Sequence, residues 1–340
     1  MEVERVEAEF RAALAAANDD SASPLERAEM LMEIAMGLQL RPRAPEQIVA
    51  AISLYDRALE VCPGEERLLR ARITARKGTA LQAQPGEGTA ALEAAREAYE
   101  GALPVLRELG RSEEVAEVEM NLGLVIQSLS GAGRARITDA IAAYQRALLT
   151  FECQRFPREF AILQSNLATA FLSMPFTNER GKMREALAVA AFEEGLRVIN
   201  LIDHPAEYAM LQNNLGNALQ YASSSHAVEN NLRALEAYDE ALKVRTREAM
   251  PLEYANTIAN RANCLLNLPD DASAPELGSR RNQVAAKAAY SEARALFASH
   301  GEHAKARIAG EACEEIVREM LSQATAEPAS HSNGHGGSAA

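Results

Sequence analysis

Apolar positions along most of this chain recur every three to four residues rather than every second one. Leu232, Ala234, Leu235, Tyr238, Ala241 and Leu242 fall in this way on one helical face. Ala, Glu, Leu and Arg, which favour helix, fill such stretches. Breakers separate them at Pro63-Gly64, Pro85-Gly86-Glu87-Gly88, Gly131-Ala132-Gly133, Met174-Pro175, Ser223-Ser224-Ser225 and Pro269-Asp270-Asp271. The pattern predicts an all-α chain of short helices.

The helices repeat. Pro205-Ala206-Glu207-Tyr208-Ala209 followed by Asn214-Leu215-Gly216-Asn217-Ala218 returns 46 residues later as Pro251-Leu252-Glu253-Tyr254-Ala255 followed by Asn260-Arg261-Ala262-Asn263-Cys264. Earlier copies carry Pro157, Glu159 and Asn166, then Glu114 and Asn121. Ala28, Ala71, Ala116, Ala161, Ala209 and Ala255 mark six units spaced by 43 to 48 residues. Each unit has a second half marked by an aromatic with a small residue three positions on: Tyr55, Tyr99, Tyr144, Phe192, Tyr238 and Tyr290. That offset puts both on one helical face, where a ring can lie over a closely approaching neighbour. Pro157, Pro205 and Pro251 each open a unit, where a missing N–H costs little, and an acid two positions on suits the helix N-terminus. The unit is helix, loop, helix.

These residues resemble the tetratricopeptide repeat. Asn214-Leu215-Gly216-Asn217-Ala218 is similar to the centre of that repeat's first helix, and Ala234, Tyr238, Ala241 and Leu242 to the spaced positions of its second. The family period is 34 residues, whereas this chain repeats at about 45 because both inter-helix connections are longer. Long-period units of this kind resemble a bacterial subset often fused to caspase-like or signalling domains. The resemblance implies an α-solenoid of stacked antiparallel helix pairs, a right-handed superhelix with terminal capping helices. Residues 1–23 are expected as an N-terminal capping helix and linker, 24–299 as the six repeats, 300–323 as a C-terminal capping helix and 324–340 as a disordered tail. A stacked array leaves an apolar face at each end that needs cover. Val6, Phe10 and Leu14 at one end, and Ile308, Cys313, Ile316 and Met320 at the other, supply apolar stripes for it.

Charge and composition narrow the chemistry. The chain has 35 Lys plus Arg against 48 Asp plus Glu, a net charge of −13. Such a surface repels phosphate backbones and anionic lipid, so neither nucleic acid nor membrane is an expected partner. The opening Met1-Glu2-Val3-Glu4-Arg5 lacks the basic-then-apolar order of an export signal, and a cytoplasmic protein is expected. The cysteines Cys62, Cys153, Cys264 and Cys313 lie far apart, with no Cys-x-x-Cys pair. His300 and His303 are spaced for a shared helical face but span Gly301, a helix break. No phosphate loop, nucleophile elbow or His-Glu-x-x-His helix occurs. Neither a metal site, a cofactor nor a catalytic centre is expected.

What remains is binding. In a solenoid of this kind the first helices line a concave face that takes extended ligands. The candidate groove residues are Asn121, Asn166, Asn213, Asn214, Asn217, Asn256, Asn260 and Asn263, together with Arg72 and Arg76. An amide offers a donor and an acceptor, so a row of amides can hold a peptide backbone without fixing its sequence. The same amides can instead bond between helices and fix the stacking. Arg72 and Arg76, four residues apart, make a fork for a carboxylate or phosphate, while Glu29 and Glu33 at the matching positions of the first unit compete as ion-pair partners. The family's carboxylate clamp would need Lys where this chain has Met120, Ser165, Asn213 and Ala259, which argues against that role. The expectation is a non-catalytic scaffold or adaptor that binds a partner peptide or helix, in the assembly or maturation of a protein complex. The alternative is a ligand-sensing regulator that binds a small anion at the basic patch of the second repeat. Self-association through an end helix is a third class.

Overall fold

The computed structural model describes residue 15 and residues 22–40, 42, 44–86, 88–175, 179–222 and 226–326. Among them are thirteen α-helices, one 3-10 turn at Pro275–Leu277 and no strand. Apart from Ala15, the stretch 1–18 read as an end helix lies outside the described residues, as do residues 327–340 of the expected tail. The chain divides into two compact units, residues 1–177 and 178–340.

The first unit holds α1 (Pro24–Leu40), α2 (Pro45–Val61), α3 (Arg67–Gln82), α4 (Ala90–Leu109), α5 (Ser112–Gly131), α6 (Ile137–Leu148) and α7 (Pro157–Leu172). Successive helices pack in order, and the first helices of neighbouring repeats also touch, α1 on α3, α3 on α5 and α5 on α7. The second unit holds α8 (Glu179–Leu196), α9 (Pro205–Gln220), α10 (Ala227–Leu242), α11 (Pro251–Leu266), α12 (Arg280–Ser299) and α13 (His303–Ala326). It shows the same sequential packing and the same direct contact between first helices, α9 on α11. The six aromatic markers all fall on second helices, α2, α4, α6, α8, α10 and α12.

Local chemistry sets the ends. Pro157, Pro205 and Pro251 are the first residues of α7, α9 and α11. The residue before each is non-helical, and its carbonyl accepts the first helical bond, from Phe160, Tyr208 and Tyr254. Helix α12 is capped from a distance. Asp270 accepts the backbone N–H groups of Arg281 at 2.8 Å and Asn282 at 2.9 Å, satisfying two donors that the helix cannot.

Each hairpin closes on its aromatic. The rings of Tyr55, Tyr99, Tyr144 and Tyr238 are fully buried. A Cβ added at Gly78, Gly123 or Gly216 would stand 2.9, 2.4 or 2.6 Å from the ring of Tyr99, Tyr144 or Tyr238, so glycine is required there for space. The hydroxyls find an amide one turn further along the first helix. Tyr55 donates to Gln39 at 2.9 Å, Tyr144 to Gln127 at 2.9 Å, and Tyr238 to Asn217 at 2.7 Å and Gln220 at 2.9 Å. Tyr99 donates to Thr79 at 3.1 Å and Gln82 at 3.3 Å. Burying a phenol without such a partner costs on the order of 1–3 kcal/mol. Seven residues after each aromatic, an apolar side chain plugs the hairpin: Cys62, Leu106, Phe151, Ile199 and Phe297 are buried. In the fifth repeat this residue is Arg245.

Helix α13 packs on α12 through Ala306, Ala309 and Ile316. Ile308, which the sequence placed on the packed stripe, is 58% exposed. The helix is turned toward the small residues Ala309 and Gly310, which let it approach Arg294 of α12 closely.

Candidate functional site

On every first helix a row of partly accessible residues recurs at positions related by the repeat. It runs through Glu29, Glu33 and Met36 in α1, Arg72, Arg76 and Thr79 in α3, and Glu117, Asn121 and Leu124 in α5. In α7 it is Ile162, Asn166 and Thr169, in α9 Met210, Asn214 and Asn217, and in α11 Asn256, Asn260 and Asn263. The spacing of four then three keeps these residues on one side of each helix, and the contacts between neighbouring first helices set the stripes side by side within each unit.

In the first unit the stripes of α1, α3 and α5 line a cleft of about 200 Å³. Met32, Met36 and Val118 give it apolar walls, and Glu33, Arg72, Arg76, Glu114, Glu117 and Asn121 give it charge and polarity. The two arginines are engaged. Arg72 forms a two-pronged pair with Glu114 of α5, at 2.8 and 3.1 Å, and Arg76 donates to Glu117 at 3.0 Å. Burial alone would raise the Glu114 carboxyl. The Arg72 side chain and the Arg111 backbone N–H outweigh that and hold it below the usual carboxylate range. The expected competitors Glu29 and Glu33 take neither arginine and make no hydrogen bond or ion pair among the described residues. Arg72 and Arg76 thus reach toward the third repeat instead of the first. Asn121 makes no hydrogen bond among the described residues, and the Asn166 Nδ2 is buried with no partner among them.

One buried carboxylate lies beside this stripe and was not legible as a motif. Glu119, 2% exposed, accepts from Arg107 at 2.5 Å and from Arg146 at 2.7 and 2.9 Å. It ties α4, α5 and α6 together, and its charge is matched by two guanidiniums whose outer edges reach water.

In the second unit the stripes are amide. Asn260 makes no hydrogen bond among the described residues. Asn214 accepts from the Asn213 amide at 3.3 Å, and its own Nδ2 has no partner among the described residues. Asn263 donates to the exposed hydroxyl of Tyr221 at 2.8 Å, linking the two stripes. Three predicted groove residues serve structure. Asn213 is turned into the interior, where it accepts from Thr257 at 3.1 Å. Asn217 accepts the Tyr238 hydroxyl. Asn256 donates to the Leu252 carbonyl of its own helix at 2.8 Å. These three amides bond within the protein, while Asn214 and Asn260 stay on the partly accessible stripe.

Behind this face runs a polar chain. Arg245 donates to Thr257 at 3.0 Å, its Nε is buried without a partner among the described residues, and burial pulls its guanidinium below the usual arginine range.

Among the described residues no group of three or more His, Cys, Asp or Glu is placed to hold a metal ion, and no helix is long and apolar enough to cross a membrane. The His300 ring contacts the Leu296 carbonyl at 2.9 Å, with Gly301 breaking the helix at φ +79°.

No protein-family model matches the chain, and no curated protein sequence matches it. Solved structures do. The apo form of the quorum sensor NprR from B. thuringiensis aligns over 93% of this chain and 100% of its own, at 13% identity and a TM-score of 0.50. BtubC (BKLC) from P. vanneervenii aligns over 72% and 89%, at 20% identity and a TM-score of 0.49. A signal transduction ATPase with numerous domains and a tetratricopeptide repeat sensor, from Pyrococcus horikoshii, aligns over 91% of this chain and 48% of its own, at 13% identity and a TM-score of 0.48. At such identities the likeness concerns the fold, and the fold of this chain is a tetratricopeptide-like helical repeat.

Proposed function

We propose that the chain is a protein-binding scaffold or adaptor and that the amide face of α9 and α11 takes an extended segment of its partner. One observation carries this reading. Two neighbouring first helices present half-buried amides with groups unused among the described residues, the Asn214 Nδ2 and the whole Asn260 side-chain amide, the kind of group that pairs with a peptide backbone irrespective of its sequence. A small-anion sensor at Arg72 and Arg76 would first have to displace Glu114 and Glu117, which gives the scaffold reading precedence. The quorum-sensor likeness supports the fold on which such a face is built. An adaptor that presents a client for assembly or maturation in the cytoplasm is the finer form of the proposal.

The test is selection of a displayed random peptide library on the full chain, followed by affinity measurement of the enriched peptides. Changing Asn214 and Asn260 together to Ala is expected to weaken them by about 1–2 kcal/mol, since each amide supplies a modest polar contact. Asn217 is left intact because it holds Tyr238. Enriched peptides that bind the double variant as tightly as the native chain would remove the amide face from the proposal.

A further inference from the structure

The cleft of the first unit has a chemistry of its own, opposite to the one its arginines suggest. Both guanidiniums are already matched, Arg72 by both oxygens of Glu114 and Arg76 by one oxygen of Glu117. Glu33, on the same cleft, has no partner among the described residues, and only one oxygen of Glu117 is used by Arg76. Arg111 also lies 3.7 Å from Glu114, so the negative charge left over is local: Glu33 and the unused oxygen of Glu117 line the same cleft as the thioethers of Met32 and Met36. An arriving anion would trade one ion pair for another and release a carboxylate from Arg72 or Arg76. An arriving cation adds a pair and breaks none. Unbranched, polarizable methionine walls suit a flexible alkyl stem, and about 200 Å³ admits one long side chain.

We propose that this cleft is a subsite for a cationic side chain, Arg or Lys, of a bound peptide, with its stem against Met32 and Met36 and its head between Glu33 and Glu117. The subsite extends the protein-binding reading to the first unit and names the residue it selects there. It does not depend on the amide face of the second unit, so each can fail without the other.

The experiment uses the full chain labelled with 13C at its methionine methyls, with the Met32 and Met36 signals assigned by single Met→Leu variants. The probes are the N-acetyl amides of arginine, norleucine and glutamate. Arginine amide is expected to shift both methyl signals saturably, and norleucine amide to bind about fivefold more weakly, the worth of one partly exposed ion pair. Glu33→Gln should weaken arginine amide by a similar factor. Arg76→Gln, which releases Glu117, should tighten it. The proposal is overturned if arginine amide gives no saturable shift, if all three probes act alike, or if glutamate amide binds best and loses its affinity in Arg76→Gln. Glu33 and Arg76 are both accessible, so neither variant threatens the fold, and a methionine spectrum otherwise unchanged confirms that.

Discussion

The two units share one hairpin plan and spend their polar residues differently. In the first, the face of α1, α3 and the start of α5 is mostly charged, with Arg72 bonding to Glu114 and Arg76 to Glu117 of the next repeat before amides appear at Asn121 and Asn166, and the buried Glu119 is matched by two arginines. In the second, the face is mostly amide, and the interior holds Asn213, Gln220, Asn231, Thr257 and Gln283 beside Arg245, whose Nε has no partner among the described residues. Seven residues before the aromatic, the first unit has Ile48, Leu92 and Ile137 where the second has Glu185, Asn231 and Gln283. Charge pairing fixes the stacking of neighbouring first helices and consumes the groups that make it. Amides with bonds on one side only can fix stacking and still meet a ligand.

The largest expected effect tests what the units share. Tyr144→Ala in the first and Tyr238→Ala in the second should each cost about 3–5 kcal/mol, since each empties a fully buried ring site over a glycine. Urea unfolding followed by circular dichroism measures it, and a loss confined to one variant would mean that the hairpin plan is not common to both. The next effect has the opposite sign. Arg245→Leu restores the apolar plug of the other repeats and removes a half-buried cation whose Nε has no partner among the described residues, so it should stabilise the protein by about 1–2 kcal/mol. A clear loss of stability would show that the Arg245–Thr257 bond outweighs desolvation. The smallest effect concerns the charged face. The Glu114 carboxyl lies below its ordinary value of 4.5, so its contribution is complete above that pH and is lost as pH falls through the lowered folded value. Glu114→Gln should therefore flatten the acid limb of the stability profile below about pH 4.5. An unaltered acid limb in that variant would mean that the Arg72 pair contributes nothing to stacking.

Much of this architecture could be read from the chain. Helical periodicity, the breakers and the proline-led first helices needed only local rules, because the forces that set them act within one or two turns. The aromatic markers were legible too, although their partner was not. Gly78, Gly123 and Gly216 stand 21 or 22 residues before Tyr99, Tyr144 and Tyr238 with a glutamine four positions on, and that coupled spacing is a signal open to sequence reading. The candidate site was less transparent. Periodicity says which side of a helix a residue is on. It does not say toward which neighbour a long side chain leans, so the sequence offers Glu29 and Glu33 as competing partners while Arg72 and Arg76 reach Glu114 and Glu117. Asn213 sits one residue off the accessible stripe, and that rotation of about 100° turns it inward. The cleft beside Met32 and Met36 arises from the distance between three helices, which no local pattern encodes.

The hydroxyls of Tyr55, Tyr99, Tyr144 and Tyr238 bond within their own hairpins, and the rings of Tyr99, Tyr144 and Tyr238 close on a glycine of that same hairpin. The internal spacing of a repeat is therefore a property the repeat carries with it. Whole repeats can be duplicated or excised as cassettes that keep this spacing, with only the bonds between repeats, such as Thr257 to Asn213 and Arg107 to Glu119, left to re-form, whereas a cut between a glycine and its tyrosine would ruin both halves. Lineages that lengthen or shorten such a chain should do so in steps of one hairpin, with the joints in the connections rather than in the helices.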